Sequence, residues 1–291
     1  MKYFNRLCAL GLLGLCLLFT ACREPAFSPD RKIHVMTREE GSGTRTAFEE
    51  IFGLQEQTGD GKNGSLTHTE AVVARSNGIV LAGVAADPAA VGYLSLGSLD
   101  QSVRALRIDG EEPTEDAIRS GKYPVVRAFS FVAKGELSPP ASDFLNFVFS
   151  RQGQEIVSGT GYVRVSGGGV YDSGRMEGKL VLVGSSSVAP VAEKLKEAYG
   201  IFQPSVDVEI QVSDSTSGVR SADGGTCDFG MTSRKLNEGE QARGLREYAI
   251  ALDGIAVVVH PDNSITEMTS EQVRSIYTGE AQSWRDAGAE G

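Results

Sequence analysis

The sequence is short of the residues that carry most metal and acid–base chemistry. Its 291 residues hold three histidines (His34, His68 and His260) and four cysteines. No His-x-x-x-His or Cys-x-x-Cys spacing occurs, so the usual ligand pairs of a zinc site are missing and neither metal nor cofactor is expected. The histidines are isolated, and each reads as an ordinary strand or surface residue. Clustered basic residues are missing as well: 28 Lys+Arg stand singly or in pairs among 38 Asp+Glu, for a net charge of −10. A nucleic-acid groove needs grouped cations to displace counterions, so that class is set aside. A closed pocket for a small anion is not, because net charge governs the far field. There is no Gly-x-x-x-x-Gly-Lys-Ser/Thr phosphate loop, and the likeness of Gly41-Ser42-Gly43 to a nucleophile elbow is superficial. A serine nucleophile needs a base in reach, and Glu39, Glu40 and Asp253 show no metal spacing. Equilibrium binding, with no enzyme activity, is the expected class.

What is present begins at the N-terminus. Lys2 and Arg6 precede an apolar run from Leu7 to Phe19, followed by Thr20-Ala21-Cys22. Thirteen apolar residues are too few to cross about 30 Å of hydrocarbon as a helix. The pattern is that of an export signal and resembles a bacterial lipoprotein signal, with Cys22 as the lipidated residue and Phe19 where leucine is usual. Residues 1–21 are therefore expected to be removed, leaving 270 residues with a charge of −12. Only Cys22 and Cys227 remain, and acylation of the first leaves the second without a disulfide partner. Residues 22–30, with two prolines and no periodicity, read as a tether.

The rest alternates short β-branched runs with amphipathic stretches, which predicts an α/β architecture. Strands are expected at Ile33–Met36, Gly78–Ala82, Val91–Leu94, Val103–Ile108, Val125–Val132, Leu180–Val183, Val206–Val212 and Ile255–Val259. Helices are expected at Arg45–Phe52, Glu115–Ser120, Ala141–Phe149, Val188–Tyr199, Gly218–Ala222 and Ser270–Thr278. A glycine cluster at Ser166–Val170 opens a turn-rich stretch to Gly178 that joins two structured parts.

Three segments share one design, a cluster of small hydroxyls and glycine where a strand gives way to a helix. They are Thr37–Arg45, Gly184–Ser187 and Ser213–Gly218. A helix start leaves N–H groups unpaired and carries partial positive charge. Hydroxyls there can donate to an anion, and glycine permits close backbone approach. Plain N-capping is the other reading of each cluster. Their repetition, with Arg38 four residues before Ser42-Gly43-Thr44, favours an oxyanion site.

With these motifs the sequence resembles the phosphate-binding protein of bacterial phosphate ABC transporters, a periplasmic-binding-protein-like family. The likeness rests on Arg38–Arg45, Val91–Ser95, Ile108–Gly110, Ser120–Pro124, Ser150–Gln154, Gly184–Pro190, Asp228–Arg234, Asp253–Val259 and Ile276–Gly279 with Trp284. It implies a two-lobed (type II) α/β fold with the ligand in a cleft between lobes joined by two hinge crossovers, near Tyr123–Phe131 and Asp253–Val259. One lobe would be discontinuous (31–122 plus 256–291) and the other continuous (125–252). In the usual family order the Gly-Ser-Ser-Ser segment comes first, so the chain reads as a circular permutation, a fragment of a tandem array being the other possibility. The resemblance implies that Arg38, Ser42, Gly43, Thr44, Ser186, Ser187, Ser215 and Ser233 bind phosphate. Some members have aspartate at the Ser233 position, which leaves sulfate or molybdate as alternative anions. It further implies permease subunits as partners, a monomer, and a lipid-anchored location on the outer face of the cell membrane. A signalling or adhesion lipoprotein on the same fold is the alternative of another class.

Overall fold

The computed structural model describes residues 27–57, 63–165 and 167–288. The expected signal (1–21) and Cys22 lie outside them. Among the described residues no helix is long and apolar enough to cross a membrane.

The expected alternation appears as a ten-stranded sheet. Its centre is antiparallel: β8 (Val126–Lys134) runs against β13 (Leu245–Val259) from Gly254↔Val126 to Leu245↔Lys134. Each wing is parallel and has the same plan. In one, β1 (His34–Arg38) lies between β4 (Val72–Ala74) and β5 (Ala90–Ser95). In the other, β10 (Gly178–Ser185) lies between β11 (Val206–Ser213) and β12 (Phe229–Thr232). The central strand of each wing leads to a helix, α1 (Gly43–Ile51) after β1 and α6 (Ala189–Phe202) after β10. The outer strand leads to another, α2 (Asn77–Ala86) after β4 and α7 (Ser215–Asp223) after β11. Four helix starts thus issue from the carboxyl ends of parallel strands, where α/β sheets place their ligands.

Burial follows the two wings. The largest apolar cluster of the β1 wing joins Phe48, Tyr93, Tyr277 and Trp284 to Tyr123, Val125 and Ile255. Phe48 stacks on Tyr93 at a centroid distance of 3.8 Å. The cluster of the β10 wing runs from Phe129 to Ala251 through Phe144, Phe147, Leu182 and Tyr199. Beneath it, the buried Asp143 carboxylate accepts from the hydroxyls of Tyr171 (2.6 Å), Tyr199 (2.8 Å) and Ser173, which pins the turn-rich stretch to the body. Of the expected tether, residues 27–30 lie against the body: Phe27 packs edge-on to Trp284, and Arg285 bonds to the Pro29 carbonyl and the Asp30 carboxylate.

Three expectations about elements need correction. Gly78–Ala82 is helix, not strand: Ser76 caps it by accepting from the Ile79 amide, and Val80 and Val84, one turn apart, are its buried apolar residues. A short apolar run has no period that separates the two states. Val103–Ile108 is broken, because β6 (Arg104–Ala105) pairs with β13 whereas β7 (Arg107–Ile108) pairs with β14 (Glu267–Met268). Ile255–Val259 is the end of a strand of 15 residues, whose first half is interrupted by the exposed charges of Arg246 and Glu247.

Where the chain passes between the wings, Asp253 faces Arg127 across β13 and β8. Arg127 donates through Nε (3.0 Å) and Nη2 (2.8 Å) to Asp253 Oδ2, and Ser95 donates to Oδ1 (2.8 Å). Burial raises the Asp253 carboxyl above its ordinary value despite this pairing. Burial also lowers the Arg127 guanidinium, helped by repulsion from Arg38. Desolvation of the pair outweighs its attraction, whereas removing one partner strands the other. Arg127→Met or Asp253→Leu alone should therefore cost about 3–5 kcal/mol of unfolding free energy. The two together should cost clearly less than their sum in urea denaturation, and additive losses would show that the charges are not coupled.

Candidate functional site

The four helix starts meet face to face between the wings. Arg38 ends β1, and its side chain is 1% exposed. Its backbone amide donates to the Tyr93 hydroxyl (3.1 Å), which also contacts Thr37 Oγ1 (2.9 Å); burial pushes that phenol up to about 12. Glu39 takes Nε and Nη2 of Arg38, each at 2.8 Å. The remaining donor capacity is aimed inward. Nη1 reaches Asn77 Oδ1 (2.9 Å) and, more loosely, Thr44 Oγ1 (3.5 Å), while Nη2 crosses to Ser186 Oγ on the other wing (3.1 Å). Thr44 Oγ1 lies 2.9 Å from Ser187 Oγ, and Asn77 Nδ2 donates to that same hydroxyl at 3.2 Å.

A second knot lies beside the first. Ser233, just past β12, has its hydroxyl 3.0 Å from Ser185 Oγ and 3.3 Å from Ser215 Oγ, and its amide donates to Ser215 Oγ at 3.0 Å. Arg127 Nη1 approaches the Ser233 carbonyl from behind at 3.5 Å. Gly43 presses into this knot from the opposite wing: a Cβ there would lie 2.5 Å from Ser233 Oγ and 2.9 Å from the Ser233 carbonyl carbon. Gly41, at φ +86°, lets its carbonyl accept from the Thr216 amide (3.2 Å). Thr44, Ser187, Ser215 and Ser233 are all buried.

The geometry separates capping from the alternative, residue by residue. Ser42 is a cap, its hydroxyl accepting from the Arg45 amide of its own helix. At α7 the cap is Asp214, which accepts from the Ser217 amide at 2.8 Å and leaves the Ser215 hydroxyl free of that task. At α6 no side chain caps the helix, and Ser186 and Ser187 face the other wing. Thr232, not Ser233, serves the turn at Arg234. Arg234 itself is held aside by Glu240 (2.8 Å). Burial works against the Glu240 charge, but the bonds from Arg234 and the Asn237 amide outweigh it and keep the carboxyl below its ordinary value. The histidines stand elsewhere, His34 on Asp87 and His260 beside Asp262. Among the described residues no group of His, Cys, Asp and Glu could hold a metal ion.

Comparison with known proteins agrees with this architecture. The family described as a PBP superfamily domain matches residues 23–152 and 169–291. Phosphate-binding protein PstS 2 of Streptococcus agalactiae is 41% identical over 286 residues, 98% of each chain. Its counterpart in Streptococcus pneumoniae is 39% identical, over 97% of this chain and 98% of its own. The chain belongs to the PstS family of the PBP superfamily. A crystal structure titled a phosphate ABC transporter, phosphate-binding protein, from Streptococcus pneumoniae superposes with a TM-score of 0.74 at 39% identity, over 88% of this chain and all of that one.

Within this PstS family fold, the structure brings Arg38, Thr44, Ser186 and Ser187 into one knot and Gly43, Ser215 and Ser233 into the other. Ser42 is adjacent but turned back on its helix. Sequence reasoning missed Asn77 and the Arg127–Asp253 pair, and left Ser185 out of the binding set although it lies in the second knot. For Asn77 a signal was present, since Ser76-Asn77-Gly78 before an apolar run repeats the hydroxyl-and-glycine design; reading that run as strand concealed it. Gly43→Ala should force the wings apart at the second knot, at an overpacking cost of roughly 1–3 kcal/mol. Small-angle scattering should show a larger radius of gyration than for Gly200→Ala, whose added methyl meets open space. Identical profiles would show that the junction accommodates the methyl.

Proposed function

We propose that the junction between the wings binds one inorganic phosphate ion and that the chain captures it for an ABC importer. The observation that carries this reading is the convergence of one hydroxyl from each wing, Thr44 and Ser186, on the buried Arg38, with the buried Ser187 bonded to Thr44. Arg38 supplies charge-assisted donors. Gly43 and Thr44, Ser186 and Ser187, Ser215 and Ser233 supply hydroxyls and helix-start amides, with Ser42 fixing the first of these helices. None of the bonds made by these hydroxyls runs to a histidine, so the constellation suits equilibrium binding rather than covalent chemistry. Glu39 on Arg38 and Asp253 on Arg127 offset both cations, which leaves dipoles as the main attraction for the anion.

The two wings then act as lobes, 31–122 with 256–291 and 125–252, that turn about β8 and β13. An ion bound by both stabilises the closed form. The relatives' names support phosphate as the ion and permease subunits as the partners. The segment around Cys22 supports a lipid anchor on the outer face of the membrane, and the protein is read as a monomer. Ser233 can donate or accept, so it serves hydrogen phosphate without an aspartate's bias against sulfate. Calorimetry should give one phosphate per chain, tighter than sulfate. Arg38→Met should remove a contact worth roughly 1.5–3 kcal/mol, at least a tenfold loss. Sulfate binding as tight as phosphate would overturn the assignment, and a change under threefold would remove Arg38 from the site.

The same reading includes a circular permutation of the family's usual order. It is supported by the pairing of Lys32 with Ser283 and by the bond from the Ile33 amide to the Gln282 carbonyl (2.9 Å), which place the two segments side by side. A short Gly/Ser linker from Gly291 to Arg31, with new ends opened before Lys179, should give a protein that folds and binds phosphate within threefold of the parent. Loss of folding in the relinked chain would count against it.

A further inference from the structure

The two wings repeat one plan, yet the sequence signals found only three of its four helix starts. In the β10 wing, the first residue of the helix after the outer strand is Ser215, whose hydroxyl lies in the second knot. In the β1 wing the residue at the equivalent place is Asn77, first in α2 after β4. Each is preceded by the residue that caps its helix, Asp214 and Ser76, so neither side chain is needed for capping.

Asn77 is buried, and its amide is fully engaged. Oδ1 accepts from Arg38 Nη1 (2.9 Å), while Nδ2 donates to Ser98 Oγ (3.1 Å) and Ser187 Oγ (3.2 Å). A guanidinium can only donate, so the oxygen must face Arg38 and the NH2 group must face the two serines. One side chain therefore fixes the arginine of its own wing and a hydroxyl of the other. With Thr44 it completes a ring, Arg38–Asn77–Ser187–Thr44, that crosses the junction twice.

We propose that Asn77 is a positioning residue of the anion site, holding the Arg38 guanidinium and the Ser187 hydroxyl at the mutual orientation in which both address one oxyanion. The proposal rests on the phosphate reading above. A buried amide in this place favours an anion rich in acceptor oxygens, because the Ser187 oxygen accepts from the NH2 group and its own proton is left to donate. A carboxylate of the same shape would keep the contact with Arg38 and reverse the polarity toward Ser187.

The test is a double-mutant cycle in protein carrying Cys22→Ser, titrated calorimetrically with phosphate and separately with sulfate. Asn77→Ala should weaken phosphate binding at least tenfold. Added to Arg38→Met, it should cost clearly less than it does alone, because the part of its effect that runs through the arginine is already lost. A residue that merely supports the fold would lower affinity equally in both backgrounds, and that additive result would overturn the proposal. Asn77→Asp, which retains shape and the Arg38 contact, covers the case in which the alanine variant fails to fold. It should weaken phosphate at least thirtyfold, and binding within threefold of the parent would show that the donation from Asn77 to Ser187 does not order the site. A parent that binds sulfate but not phosphate would overturn the phosphate reading alone, the cycle then being run with sulfate. A parent that binds neither would overturn both.

Discussion

The pairing of β8 with β13 is the constraint on which the rest of the molecule depends. These two strands are the only antiparallel partners in common to the wings among the described residues, and each wing builds its parallel strands outward from them. Because β13 continues past Asp253 to pair with β5, one strand belongs to both wings and sets their spacing. The register shift between Ala249 and Ala251 lies within the β10 wing, short of the passage. At the passage itself the chain carries a buried ion pair, which is a poor source of net stability although the loss of either partner alone is costly.

From that frame the polar junction follows. Parallel strands deliver helix starts at their carboxyl ends, and two wings related by a common plan deliver four of them toward one point. Unsatisfied hydroxyls there would be costly, since a buried polar group without a partner forfeits its hydration. The structure satisfies them with one another across the junction: Thr44 with Ser187, Ser215 with Ser233, Arg38 with Ser186. Groups that can bond each other in this way can also turn toward an ion with the same needs, and serine and threonine hydroxyls do so at small rotational cost.

Much of this was legible in the sequence because hydroxyls and glycines at strand–helix junctions have few structural explanations. The capping alternative was right for Ser42 and wrong for Ser186, Ser187 and Ser215, a distinction that only the orientation of each hydroxyl reveals. The α/β class came from alternation and survived the misreading of α2, since a single helix taken for a strand does not change the class. What stayed hidden were features made by distant residues meeting. Arg127 and Asp253 are 126 positions apart, and neither has a local pattern that marks it as one of a pair. The first half of β13 was concealed by Arg246, Glu247 and Tyr248, which are not buried and which the strand tolerates by lying against β8.

The packing of Phe27 on Trp284 has a bearing on how the molecule sits in its surroundings. Under the proposed lipidation of Cys22, five residue steps would separate the anchor from Phe27. An extended chain spans at most about 3.3–3.6 Å per residue, so the reach would be at most roughly 17 Å. The body would then be held within about the thickness of a headgroup layer or two, with its Trp284 flank nearest the lipid. Such a reach would let the molecule pivot but not drift, and would narrow the set of orientations from which the proposed lobes could meet a membrane-embedded partner.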